Sequence, residues 1–422
     1  MANQAYIKDL NTRRVLTLLR VEGRVTRADI ARQLGLTKST VTYIVDDLIE
    51  QELAEEVEAN SAREGRRDLG RPGINVGLAP SGAYFLGVEI GVHTLRYALL
   101  DLTLNAIDTK TVALKKPMSP EAVIKAITEH LARLREDRRF ASRIRAIGVT
   151  VPGLVRSDGF VVHLPIMGWR EVNFLELASK HIDIPVNIDN NANAAAFGEV
   201  YCTPRHSGLT LYLKLGNGCG GAAIINGELL RGWAGAAAEF GHMRVAGKGL
   251  LCSCGRTGCL EPHVNLTALK AYAHELHVPG DGSPRTIATA IGKGDKRAEA
   301  AAAKLLRFLS IGLVNLTNLF NPSDIVLGGD MSPVLDIGLQ TLRERLSEDI
   351  VPGMLMPSVT LSNIGEYECA VGAAALAHQQ GYDIAGLRLA HTQGQPPAKP
   401  GKRPRSQLAG LVIRFNEDAG SF

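Results

Sequence analysis

The densest group of reactive side chains is His242, followed ten residues on by Cys252-Ser253-Cys254-Gly255-Arg256-Thr257-Gly258-Cys259. One imidazole and three thiolates make a Cys3His set, a donor combination that suits tetrahedral Zn2+. The glycines permit a loop tight enough to bring Cys252 and Cys254 to one ion. In a long chain with no export signal, thiols so spaced read as metal ligands rather than as a disulfide framework. Protein donors fill all four positions, so the expected ion is structural, with no open position for hydrolysis. Two carboxylates flank the set. Glu239 lies three residues before His242 and Glu261 two after Cys259. Carboxylates beside a polarised imidazole suit bidentate hydrogen bonding to vicinal sugar hydroxyls. They suit equally well the support of metal ligands from behind.

A second chemistry sits near the N-terminus. Thr26, with Asp29 three residues on, caps a short helix that Gly35 ends. Thr37 caps a longer helix whose apolar face is Val41, Ile44, Val45, Leu48 and Ile49. A preceding helix carries the stripe Leu10, Val15, Leu16, Leu18 and Leu19. Helix, short helix, glycine turn and longer helix make a helix-turn-helix. Its third helix presents Thr37, Lys38, Ser39, Thr40, Thr42 and Tyr43. Small hydroxyls and a lysine there suit phosphate anchoring and base-edge contact in a major groove. Short apolar pieces at Leu53–Val57 and Ile74–Leu78 flank a segment with Arg63, Arg66, Arg67 and Arg71 among glycines. That pattern predicts a two-strand wing with a basic tip, and Arg71 is counted with the DNA contacts.

Beyond residue 83 the pattern alternates between strand-like and helical pieces over about 300 residues, which implies α/β sheets. Gly216-Asn217-Gly218-Cys219-Gly220-Gly221 follows the strand Leu209–Leu215 and matches G-x-G-x-x-G. A dinucleotide fold needs a helix next, and Ala222–Ile225 reads as another strand. The cluster is therefore a plain glycine hairpin or a phosphate-binding one.

The 422 residues carry a net charge of +4, are 45% hydrophobic and are 21% charged. This is a globular composition and excludes wholesale disorder, collagen and coiled coil. From Ala385 onward, six basic residues stand against two acidic ones, which accounts for the whole surplus. Net charge thus says nothing about the partners of residues 1–384. The Pro-rich end is expected to be disordered. No uncharged apolar run of about 18 residues occurs, so no membrane span is expected. The polar start Met1 to Lys8 lacks a signal-peptide core, so a cytoplasmic location is expected.

With these residues in view, the sequence resembles the ROK family of repressors, open reading frames and kinases. Gly241-His242 and Cys252 through Glu261 match its G-H and C-x-C-G-x-x-G-C-x-E pattern. Pro152-Gly153, Asp189–Glu199 and Gly328-Gly329 match further blocks. The resemblance implies an N-terminal winged helix-turn-helix over 1–78, then a two-lobed actin/hexokinase-like α/β domain. The small lobe spans 79–188 with a return segment at about 371–384, the large lobe 189–370, and 385–422 form a tail. Sugar contacts fall on Gly153, Asn190, Asn191, Glu239, His242 and Glu261, with His242 serving both zinc and sugar. Family kinases place an Asp where Asn191 stands, and an amide is no general base. They also open with D-x-G-G-T, where this chain has Glu89-Ile90-Gly91-Val92-His93. The implied protein is a sugar-responsive, DNA-binding repressor, a homodimer or homotetramer on operator DNA, with no catalytic residue. An ATP-dependent sugar kinase carrying a DNA-binding head is the rival expectation.

Overall fold

The computed structural model describes residues 2–57, 74–156, 158–203 and 208–382. Arg63, Arg66, Arg67 and Arg71 of the expected wing tip, and the Pro-rich tail, lie outside the described residues. The chain divides into two compact units. The first holds the N-terminal residues through Asn190 together with the segment from Cys369; the second holds Asn191–Glu368.

The first unit opens with helix α1 (Ala2–Glu22), strand β1 (Arg24–Thr26) and helices α2 (Arg27–Leu34) and α3 (Lys38–Glu50). Thr26 accepts a hydrogen bond from the backbone N–H of Asp29, and Thr37 accepts one from that of Thr40. Both are N-caps, as their spacing predicts. Gly35 closes α2 in the left-handed region at φ 66°, where a Cβ is disfavoured. Val15, Leu18, Ile30, Val41, Val45 and Leu48 form the buried centre. Leu10, expected on the same stripe, is 36% exposed. The wing strands β2 (Ala54–Val57) and β3 (Asn75–Leu78) are present, but the sheet has three strands, in the order β1-β3-β2. The extra strand, Arg24–Thr26, pairs with Asn75–Gly77. At three residues it is too short to leave an alternating pattern in the sequence.

The same unit continues into a five-stranded sheet, ordered β11-β7-β4-β5-β6. Its strands are β4 (Tyr84–Ile90), β5 (Thr94–Asp101), β6 (Ala106–Ala113), β7 (Ile144–Val151) and β11 (Val186–Asn190). A smaller sheet of β8 (Leu154–Val155), β9 (Phe160–Leu164) and β10 (Trp169–Asn173) follows β7, with helix α5 (Phe174–Ser179) after it. Every residue of β4 is buried, the mark of a strand covered on both faces. Leu86, Val88 and Ile90 pack in one cluster with Val123, Ile124 and Ile127 of helix α4 (Pro120–Glu136). On the opposite face Phe85 stacks edge-on against His378 of the returning helix α12 (Glu368–Tyr382). That helix lies so close that a methyl group built on Gly148 would stand 1.9 Å from the Ala373 carbonyl oxygen. The winged-helix head is tied to this sheet. Arg143 donates to the Ser81 carbonyl at 3.0 Å and pairs with the Glu52 carboxylate. Arg13 of α1 donates to the Gln380 carbonyl of α12 at 3.0 Å.

The second unit begins with helix α6 (Asn191–Tyr201), buried throughout. A sheet ordered β14-β13-β12-β15-β16 follows, made of β12 (Leu209–Leu215), β13 (Cys219–Ile225), β14 (Glu228–Leu229), β15 (Asp324–Gly328) and β16 (Ser358–Leu361). Strands β12 and β13 form an antiparallel hairpin through the glycine cluster, which no helix follows. Helices α7 (Glu261–Val264), α8 (Leu266–Glu275), α9 (Pro284–Gly292), α10 (Lys296–Phe320) and α11 (Ser332–Asp349) complete the unit. Among the described residues α10 is the one helix long and apolar enough to cross a membrane. Its apolar face, including Leu305, Leu309 and Leu313, is buried in the core of the unit.

Gly148→Ala should cost about 1–3 kcal/mol, since main chain must shift to admit the methyl. Gly292→Ala, where an added methyl meets open space, should change stability by less than about 1 kcal/mol. Urea-unfolding midpoints of the two variants check this contrast.

Candidate metal and ligand site

The metal set assembles in the second unit. One ligand atom each from His242, Cys252, Cys254 and Cys259 lies within 4.8 Å of all the others. Cys254 Sγ and Cys259 Sγ are 3.7 Å apart, and Cys252 Sγ is 3.4 Å from His242 Nδ1. A tetrahedral zinc ion with bonds of about 2.3 Å to sulfur and about 2.0 Å to nitrogen needs S···S and S···N separations of about 3.7 and 3.5 Å. The donors therefore fit a zinc-sized ion. Without an ion, burial pushes the Cys252 thiol up to about 12 and also raises Cys259. A backbone N–H from Arg256 lowers Cys254. An ion must displace the remaining protons, so its binding releases them.

Local backbone makes this geometry. The isolated bridges Arg244 to Cys259 and Leu251 to Thr257 fold the loop back on itself. Gly255 and Gly258 both sit at φ 82°, the left-handed region the turns require. Cys252 and Cys259 are buried, while Cys254 is exposed.

The carboxylates occupy different places around the set. The second ring nitrogen of His242, Nε2, is 3.9 Å from Glu239 Oε2. The ring thus turns Nδ1 to the thiols and Nε2 to a carboxylate, consistent with one residue serving two purposes. Partial burial and the nearby Glu261 raise the Glu239 carboxyl, and His242 opposes them. Glu261 is held more firmly. Its Oε1 accepts from the Ser253 hydroxyl at 2.7 Å, and its Oε2 accepts from the Cys219 N–H at 3.2 Å. Ser253 and Cys219 are functional neighbours that sequence reasoning passed over. Ser253 was visible between two metal cysteines, but nothing in the sequence pointed to the Cys219 N–H. The turn Glu239–His242 rests directly on the glycine hairpin. A methyl on Gly241 would lie 2.0 Å from the Cys219 carbonyl oxygen.

The remaining expected ligand contacts stand at strand ends. In the first unit, parallel β7 and β11 pair Val151 with Asn190. Asn190 Nδ2 donates to the Gly153 carbonyl at 2.8 Å, which brings those two residues together. Ligands of open α/β sheets collect at the carboxyl ends of such strands. Asn191 opens α6 in the second unit and is buried.

In the head, Lys38, Ser39, Thr42 and Tyr43 are exposed along one side of α3. Thr37 and Thr40 are occupied with each other, their hydroxyls 2.8 Å apart at the cap. Much of the basic charge is spent internally. Arg27 pairs with Asp46 and Glu56, Arg14 donates to the Leu34 carbonyl, and Lys8 pairs with Asp47 and donates to the Tyr43 hydroxyl at 3.2 Å.

The comparisons agree with this architecture. Residues 85–380 match the ROK family model, well over half of the chain. This chain belongs to the ROK family. Ahead of its ROK domain, residues 8–55 match a winged helix-turn-helix DNA-binding model. The chain is 33% identical to a glucokinase of Streptomyces coelicolor in an alignment 314 residues long that covers 70% of this chain and 97% of that protein. It is 27% identical to a xylose repressor of Bacillus spizizenii over 91% of this chain and 99% of the repressor. In fold it is similar to a ROK-family transcriptional regulator homologous to the Mlc protein of Escherichia coli, with a TM-score of 0.76 and 24% identity over 89% of this chain and 97% of the other.

Purified protein should carry about one equivalent of metal, and Cys254→Ser should lose most of it. Inductively coupled plasma analysis checks both. An equal metal content in the two proteins would contradict the assigned set.

Proposed function

We propose that this ROK protein is a sugar-responsive transcriptional repressor that binds its sugar effector without phosphorylating it. One observation carries the reading. The similarity to the xylose repressor covers 91% of this chain, a span that must include part of the DNA-binding head, whereas the glucokinase similarity covers 70%.

In this reading α3 enters the major groove, with Lys38, Ser39, Thr42 and Tyr43 facing DNA and the Thr37 and Thr40 hydroxyls shaping the helix start. Arg71 of the wing is a further proposed contact. A homodimer or homotetramer would present paired heads to the half-sites of an operator. Glu239, His242 Nε2 and Glu261 supply acceptors and a donor for sugar hydroxyls; Gly153, Asn190 and Asn191 are further proposed sugar contacts. The proposed ion is structural Zn2+; His242, Cys252, Cys254 and Cys259 would hold it, and once bound it would steady the His242 ring and the loop that carries Glu261. A sugar shifts the protein between DNA-binding states only by its difference in affinity for them.

Asn191 supports the absence of catalysis. Phosphorylating a sugar hydroxyl needs a group to take its proton, and an amide hydrogen-bonds without accepting one. The 33% identity with a glucokinase keeps one alternative, a sugar kinase with a DNA-binding head. A coupled assay with ATP, D-glucose and D-xylose separates the two. The repressor reading expects no turnover above background, and turnover that Asn191→Ala abolishes would replace it with the kinase.

Two binding results are expected. A thermal-shift screen of monosaccharides should find a ligand that raises the melting temperature, because a ligand of the native state stabilises it. Glu239→Ala should abolish that shift. Lys38→Ala should weaken operator binding and reduce its salt dependence by about one unit of slope, the loss of one phosphate contact. Electrophoretic mobility shifts over a salt series measure this.

A further inference from the structure

Strands β12 and β15 run parallel in the second unit, with Lys214 opposite Gly328. Beyond β15 the chain turns through Gly328-Gly329 and enters α11, an 18-residue helix. A glycine turn opening a helix at the carboxyl edge of parallel strands presents backbone N–H groups suited to an oxyanion. The β12–β13 hairpin meets this turn from the other side. A methyl on Gly216 would stand 3.1 Å from the Asp330 carboxylate.

This turn already holds an anion that belongs to the chain. Glu368 is 3% exposed. Its Oε2 accepts from the Gly329 N–H at 3.1 Å and from the Tyr212 hydroxyl at 2.7 Å. Its Oε1 is 2.9 Å from Lys214 Nζ. The turn is shaped around these groups. A methyl on Gly328 would lie 1.9 Å from the Tyr212 hydroxyl oxygen and 2.6 Å from Glu368 Oε2. Gly329 has φ +92°, and a methyl there would meet the Leu215 carbonyl at 2.3 Å.

An ammonium, a hydroxyl and a backbone N–H converging on one pair of oxygens is a donor set that also serves a phosphate. We propose that Glu368 is a built-in occupant of an anion-binding turn, closing Gly328-Gly329 to the phosphates of a nucleotide. The carboxylate accepts the Gly329 and Tyr212 hydrogen bonds and pairs with the Lys214 ammonium, and Asp330 adds a second negative charge that repels an incoming anion. The inference deepens the non-phosphorylating reading and rests on it. The closure lies in a side chain that a single substitution removes.

The test uses the full-length protein and isothermal titration with two probes, inorganic phosphate and Mg-ATP. Wild type is expected to bind neither in the millimolar range. Glu368→Ala and the isosteric Glu368→Gln both remove the carboxylate charge beside Lys214, and at least one should bind a probe tenfold or more tighter than wild type. Binding of both probes marks a general phosphate site, and binding of Mg-ATP alone marks a nucleotide site. Adding Lys214→Met to Glu368→Ala should remove the gained affinity. The proposal fails if wild type binds as tightly as the variants. It also fails if both single variants, shown folded by circular dichroism, gain neither probe. Sugar shifts recorded on the same samples keep the outcomes separate, because a missing sugar response in wild type counts against the sensor reading and leaves the Glu368 comparison intact.

Discussion

The contact of Gly241 with the Cys219 carbonyl is the constraint on which the candidate site depends. Main chain meets main chain there at a separation no Cβ can occupy. It presses the turn that carries Glu239 and His242 onto the glycine hairpin. The same hairpin residue offers its N–H to Glu261. Turn, hairpin and metal loop therefore share one reference point. The geometry of the carboxylates and the imidazole does not depend on flexible side chains finding one another. Such preorganisation keeps polar groups poised for a ligand without an ordering cost at binding.

The metal set works in the same direction. The His242 ring turns Nδ1 to the Cys252 thiol and Nε2 to Glu239, so an ion held by the set would fix the ring through one nitrogen and leave the other beside the carboxylate. The ring orientation of a metal-bound histidine is ordinarily set by the partner of its free nitrogen. Here that partner is itself a proposed ligand group, so metal and ligand chemistry meet in one residue. In the first unit, the head is not a bead on a loose linker. The Arg143 pairing with Glu52 and the Arg13 bond to the Gln380 carbonyl join it to the sheet and to α12. Exposed ion pairs of this kind contribute little stability. Their effect is on orientation, which is what a DNA-binding head must hold.

Much of the architecture was legible in the residues. The caps at Thr26 and Thr37, the left-handed Gly35, the largely apolar β4 and the hairpin after Leu215 are local, set by propensity, period and turn chemistry. The Cys3His set was legible because three of its members lie within eight residues. Strand β1 was not, since three residues carry no period. The internal use of Arg14 and Arg27 was also hidden, because a sequence shows how many charges a head has and not which are already paired.

The sequence by itself determined the kinds of chemistry present: a hydroxyl-rich recognition helix, a zinc-type donor set, and an amide at Asn191. Each is written in one short stretch of chain. Tertiary structure decided how those groups are used. Glu261 reaches an N–H 42 residues away, and Glu368 takes a hydroxyl from a tyrosine 156 residues away. Bonds across such separations arise from packing of strands and helices, and glycines mark where that packing is closest. A glycine in a sequence shows only that a side chain is absent. The fold supplies the carbonyl or carboxylate that fills the space.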